Sequence, residues 1–250
     1  MAVLGNNVVE TWYLPIGDDA ARHPWAVYQD LLCREERDRA VRFARSRDRL
    51  HYTAAHALLR VMLSSFSEVP PTAWRFRSED GMRPEIEPGL SPLPLRFSLS
   101  HTDRLVAAAV TLGRTVGLDV EAVDRCVCDM EQLIRYFAAS EISLLTRGPT
   151  ERQHRAFFQM WTMKEAFVKA TGLGLSLPLD QFAVTFDPGR LVFAPAQWGP
   201  FDSWHFRVLQ PTPAHQMAVV TQVQIGIEPA FRTSEVTPPT LMPEAPLCGR

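Results

Sequence analysis

Residues Phe157 to Gln181 read FFQMWTMKEAFVKATGLGLSLPLDQ, an amphipathic helix stopped by glycine and followed by an apolar loop. Phe157, Trp161, Glu165 and Lys169 recur every four residues, so they stack along one helix face. Gly172 supplies the C-terminal stop. The upper part of that face is aromatic, and the lower part carries a carboxylate and an amine. Of the 26 basic residues in the chain 24 are arginine, and the only two lysines are Lys164 and Lys169. Lysine is a compact, mobile point charge where arginine is a planar fork. An exposed i,i+4 pair such as Glu165–Lys169 is worth only about 0.3–0.5 kcal/mol. The pointer to function is therefore the concentration of lysine in this one helix, not the pair itself.

The 250 residues suffice for one large domain or two of modest size, each with its own core. Hydrophobic content of 46% and charged content of 22% are those of an ordinary globular protein. A net charge of −2 argues against a general nucleic-acid or membrane-surface binder, so any basic patch must be local. Cys33, Cys126, Cys128 and Cys248 form no Cys-x-x-Cys pair and read as reduced thiols. The opening MAVLGNNVVETWYLP has neither a basic start nor a long apolar run, and no stretch approaches the roughly 18 apolar residues of a membrane span. The expectation is a cytoplasmic protein.

Taken in order, residues 8–14 alternate as a first strand, and helical patterns follow over 25–43 and 48–66. Between Arg34 and Arg60 eight arginines face four acids, a local excess of +4. That region reads either as a solvated helix face or as an anion site, since arginine grips phosphate bidentately. A short strand at 74–77, a turn over 79–84 and a proline-rich loop over 85–94 come next. In RFSLSHTDRLVAAAVTLG, Phe97 and Leu99 alternate with Ser98 and Ser100, and His101 opens a turn into a buried strand over 105–112. Gly113 and Arg114 mark the expected boundary between halves. In TVGLDVEA, Leu118, Val120 and Ala122 point one way, and Asp119 and Glu121 point the other. Two carboxylates on one strand face repel, so the pair reads either as a solvated strand face or as a site for a hard cation such as Mg²⁺, which takes one or two carboxylates together with phosphate oxygens. Helices over 130–136, 140–145 and 154–171 and strands over 182–186, 191–193, 204–209 and 216–223 complete an α+β pattern. The expected organisation is an N-terminal α+β half over 1–112, a C-terminal half over 113–228 and a disordered, proline-rich tail over 229–250, which holds five prolines.

Three stretches together resemble the larger, single-chain 4′-phosphopantetheinyl transferases of the surfactin-activator type: FSLSHTDRLVAAAV (97–110), VGLDVEAVD (116–124) and FFQMWTMKEAFVKATGLGLSLPLDQF (157–182). The resemblance covers roughly residues 25–225, and the D-x-E pair some forty residues before W-x-x-K-E-A-x-x-K is its most specific feature. It implies two similar α+β halves, a pseudo-dimer in one chain and hence a monomer, with coenzyme A in the cleft between them. It implies Mg²⁺-dependent transfer (Mn²⁺ as a substitute) of the phosphopantetheine arm to a serine of an apo acyl, peptidyl or aryl carrier protein, releasing adenosine 3′,5′-bisphosphate. Asp119, Glu121 and Glu165 match metal ligands, and Glu165 also matches the general base. Lys169 matches a pyrophosphate contact, with Lys164 beside it. Arg83, Ser100 and His101 match coenzyme A contacts, as do Arg39, Arg49 and Arg60 in the basic entry. Glu141 matches a recurrent acidic residue.

Two other readings use the same residues. A non-catalytic coenzyme A or carrier-protein binding module would need a broken carboxylate triad. A Mg²⁺-dependent hydrolase of nucleotide pyrophosphates would need no protein acceptor.

Overall fold

A computed structural model describes residues 2–17, 25–78, 83–123, 133–146, 149–186 and 188–241. Strand β1 spans Val8–Pro15, helices α1, α2 and α3 span Trp25–Leu31, Arg34–Ala40 and Ser46–Ser65, and the short strands β2 and β3 span Phe76–Arg77 and Glu85–Ile86. Strands β4 (Leu95–Thr102), β5 (Leu105–Leu112) and β6 (Val116–Ala122) lead to helices α4 (Ala139–Leu145) and α5 (Thr150–Thr171). Strands β7 (Ala183–Phe186), β8 (Gly189–Phe193), β9 (Trp204–Thr212), β10 (His215–Gln222) and β11 (Ala230–Glu235) follow.

The two larger sheets are β11-β1-β5-β4 and β6-β10-β9. Strand alternation arranges them in four layers. Val106, Ala108 and Val110 of β5 join the core under α3, with Leu58, Leu59 and Met62. Leu105, Ala107 and Ala109 on the other face of β5 meet Leu118 and Val120 of β6 and Met217 and Val219 of β10. The far face of β10, Ala218 and Val220, packs with Met163 and Phe167 of α5. The order is helix, sheet, sheet, helix, an α+β fold with one large helix on each outer side.

Helix α5 begins at Thr150, four residues before the expected start, and ends at Gly172 in the left-handed conformation (φ 75°). Its close seat on β6 depends on Gly117. A Cβ there would stand 1.9 Å from the carbonyl oxygen of Ala166 and 2.7 Å from the amide nitrogen of Ala170. No side chain fits, and the helix can approach the D-x-E strand at backbone distance.

The end of the chain corrects the expectation of a disordered tail from residue 229. β11 runs parallel to β1 in a six-residue register from Val8↔Ala230 to Tyr13↔Glu235, and Val236 and Leu241 are buried beyond it. β11 has almost no buried side chain, so backbone hydrogen bonds to β1 hold it rather than a hydrophobic pattern. The remaining tail, 242–250, lies outside the described residues, as do Cys126, Cys128, Cys248, most of the 79–84 turn and the start of the helix expected over 130–136.

Candidate active site

The site forms where β4 of the first half meets β6 and α5 of the second. Lys169 Nζ lies 2.7 Å from Asp119 Oδ1 and 2.8 Å from Ser100 Oγ, and the Ser100 hydroxyl donates to the same carboxylate oxygen at 3.0 Å. Asp119 is only 4% exposed, and its second oxygen, Oδ2, is buried with no hydrogen-bond partner among the described residues. A buried carboxylate oxygen left open is costly unless something positive reaches it.

Glu165 sits one helical turn before Lys169. Burial raises its pKa above the usual carboxylate value, the charge of Asp119 raises it further, and Lys169 opposes both. Glu121 follows Asp119 on the same face of β6, and Thr102 Oγ1 lies 3.5 Å from its Oε2. His101 is exposed, with its ring 6.4 Å from that of His51. Partial desolvation there, with the charge of Lys169 second, pulls its pKa below the ordinary imidazole value. Arg83 donates to the carbonyl of Ala170 at 3.4 Å, near the C-terminus of α5, and shares with Lys169, Phe97, Val168 and Gly172 a cleft of about 250 Å³.

The structure thus gathers Ser100, Asp119, Glu165 and Lys169, with Glu121 next along the same strand face, His101 within the influence of the charges of Lys169 and Asp119, and Arg83 at the cleft wall. It separates the others. Arg60, expected as a coenzyme A contact, is fully buried in the first half: its Nε donates to Glu36 at 2.8 Å and its Nη1 to the carbonyl of Pro71 at 2.7 Å. Lys164, expected beside the pyrophosphate, points the other way. It is fully buried, 2.8 and 2.6 Å from the two oxygens of Glu141 and 2.7 Å from the carbonyl of Phe182. Both charges belong to the cores, and neither is offered to a ligand. Glu141 also accepts from the amides of Ala138 and Val184, which explains its buried position without a catalytic role. Arg39 is exposed, with its guanidinium 5.5 Å from the Tyr52 ring, and Arg49 donates to the carbonyl of Phe43.

The sequence reading passed over Gly117 and Thr102. The signals were a glycine two residues before the first carboxylate and a hydroxyl at every second position from Ser98 to Thr102.

Two family descriptions match the chain: "4′-phosphopantetheinyl transferase superfamily" over residues 115–220 and "4′-phosphopantetheinyl transferase, N-terminal" over residues 19–112. The 4′-phosphopantetheinyl transferase HetI of Nostoc sp. is 32% identical over 230 residues, covering 89% of this chain and 91% of its own. The chain belongs to the 4′-phosphopantetheinyl transferases. Two further relatives are named for the same activity. The transferase psf-1 of Bacillus pumilus is 30% identical over 86% of this chain and 89% of its own, and Sfp of Bacillus subtilis is 29% identical over 63% and 67%. This phosphopantetheinyl transferase is of the larger, single-chain kind. Among its described residues no helix is long and apolar enough to cross a membrane.

The donor set suits a hard divalent cation, because Asp119 presents an open, buried oxygen and the Glu165 carboxylate is near enough for the two charges to interact. Among the described residues no group of three or more His, Cys, Asp or Glu is already gathered as a metal site.

Proposed function

We propose that this transferase moves the 4′-phosphopantetheine arm of coenzyme A to a serine of an apo carrier protein, with Mg²⁺ held by Asp119, Glu121 and Glu165. The observation that carries the reading is the open Oδ2 of Asp119, buried beside Lys169. In this reaction the serine oxygen forms a bond to the β-phosphorus of coenzyme A. The bond from that phosphorus to the bridging oxygen breaks, and adenosine 3′,5′-bisphosphate leaves with the electron pair.

Phosphoryl-type transfer needs positioning and charge neutralisation more than covalent help. When bound, the cation would neutralise charge on the phosphate oxygens. Lys169, already paired with Asp119, is placed to turn its ammonium to a phosphate. Glu165 accepts the serine proton, a role that its raised proton affinity suits. The cleft walled by Arg83, Phe97 and Val168 offers apolar surface with a cation at its edge, which suits a flexible arm ending in phosphates.

The test is one incubation of the full chain with coenzyme A, Mg²⁺ and a panel of apo acyl, peptidyl and aryl carrier proteins. The expected product is a carrier protein heavier by about 340 Da, the mass of the arm moved in this chemistry. Release of free phosphopantetheine without an acceptor would select the hydrolase instead. Binding of coenzyme A with neither product would select the binding module.

A further inference from the structure

Strands β4 and β6 lie side by side, yet they belong to different sheets and share no backbone ladder. Three hydroxyls join them. Ser98 Oγ accepts from the amide of Leu118 at 2.9 Å, Ser100 Oγ from Val120 at 3.4 Å and Thr102 Oγ1 from Ala122 at 3.1 Å. Each pair is 20 residues apart in sequence, so the two strands run parallel in fixed register. Side-chain oxygens take the place that carbonyls hold in an ordinary sheet. All three hydroxyl residues are under 9% exposed, and so are all three residues that donate to them.

The middle rung differs from its neighbours. Ser100 Oγ accepts from Val120 and from Lys169 and donates to Asp119, which uses the whole capacity of a hydroxyl: two acceptor sites and one donor. Among the described residues the Ser98 hydroxyl makes only its rung. Because the ladder fixes β4 against β6, it also sets Asp119 and Glu121, between the rungs of β6, against Ser100 and Thr102 of β4.

We propose that this hydroxyl ladder sets the register of the two halves, and that Ser100 is a positioning residue. It ties Asp119 Oδ1 and the Lys169 ammonium to β4, leaving Asp119 Oδ2 open. The positioning role rests on the function proposed above, whereas the ladder stands on geometry alone.

The test compares Ser98→Ala with Ser100→Ala in the full chain, by thermal melting, by Mg²⁺ calorimetry without substrate and by steady-state kinetics. Each variant loses one rung, and each should lower the melting midpoint by about 2–4 °C. Ser100→Ala should also lose about 10–100-fold in Mg²⁺ affinity or in kcat, as outer partners of a metal site do, with KM for coenzyme A changed far less. Its rate loss should exceed that of Ser98→Ala at least ten-fold. Ser100→Thr keeps the hydroxyl and should recover most of the loss, and it serves as the readout if the alanine variant does not fold. Equal effects of the two alanine variants on affinity and rate would overturn the positioning role, and unchanged melting in both would overturn the ladder. If the wild type transfers nothing, the function reading fails while melting and calorimetry still judge the inference.

Discussion

Lys164 and Lys169 lie five positions apart on α5, roughly 140° around the helix, and their ammonium groups serve opposite ends of the architecture. Lys164 closes a buried pair with Glu141 inside the second half, 2.6 Å from its Oε2, whereas Lys169 pairs with Asp119 at 2.7 Å and reaches across the interface to Ser100 at 2.8 Å.

Substitution should separate them. Lys164→Met leaves the Glu141 carboxylate buried without its counter-charge and should cost about 3–5 kcal/mol. Adding Glu141→Gln should recover part of that, because it removes the buried charge, although its one oxygen can accept from only one of the amides of Ala138 and Val184, which donate to different oxygens of Glu141. Lys169→Ala also leaves a buried carboxylate, Asp119, without its cation, but Lys169 itself is 32% exposed, so it should lower the melting midpoint less than Lys164→Met while lowering kcat by about 10²–10³-fold. Melting curves and rates on all variants check this, and a stable Lys164→Met enzyme would count against the buried pair.

Glu165→Gln keeps a ligand oxygen but loses both the charge and the basicity. It should bind Mg²⁺ more weakly and turn over more slowly, and added Mg²⁺ should restore only the binding part. The measurement is kcat across a Mg²⁺ titration. Full recovery at saturation would assign the proton to another acceptor.

Gly117→Ala should push α5 away from β6, because the added methyl meets the backbone of Ala166 and Ala170 and not a yielding side chain. Overpacking of this kind costs about 1–3 kcal/mol or more. Activity should fall with stability, since Glu165 and Lys169 move with the helix. A variant with wild-type melting and rate would show that the helix has room to spare.

Acid stability should depend on Glu36. Burial alone would raise its pKa, but the hydrogen bond and charge of His56, with Arg60, outweigh that and leave it at about 2. A carboxylate depressed in the fold stabilises above its unfolded value near 4.5 and loses that contribution as pH falls toward 2. The contribution at neutral pH is about 3 kcal/mol. Glu36→Gln should therefore melt lower than wild type at pH 7, with the two curves converging as pH falls through about 2. A gap that persists there would assign the effect to packing.

Truncation after Glu228 should lower the melting midpoint by several degrees or make the protein aggregate. It removes β11 and with it the buried Val236 and Leu241, and it exposes one edge of β1. Unchanged melting would show that the strand contributes nothing.

The sequence made some of this legible and hid the rest for identifiable reasons. Helix α5 and the split faces of β6 follow from period, and period survives any tertiary context. Arg60 and Lys164 were misread because charged residues are usually solvated, while their partners Glu36 and Glu141 stand 24 and 23 residues away, beyond any local pattern. β11 was missed because a strand held by backbone bonds need not carry hydrophobic alternation. The hydroxyls of Ser98, Ser100 and Thr102 were visible as a row, but nothing in the row names the strand that it faces.

The pairing of β1 with β11 has a consequence for the nascent chain. Tyr13 and Glu235, which share a side-chain hydrogen bond, are 222 residues apart. During translation β1 leaves the ribosome long before its parallel partner exists, so the first half emerges with an open strand edge that only the completed second half can close. Such distant pairing makes folding slow and leaves the growing polypeptide exposed to association with its own copies. A fragment ending at Leu112, although it carries a full helix layer, would keep that open edge for good.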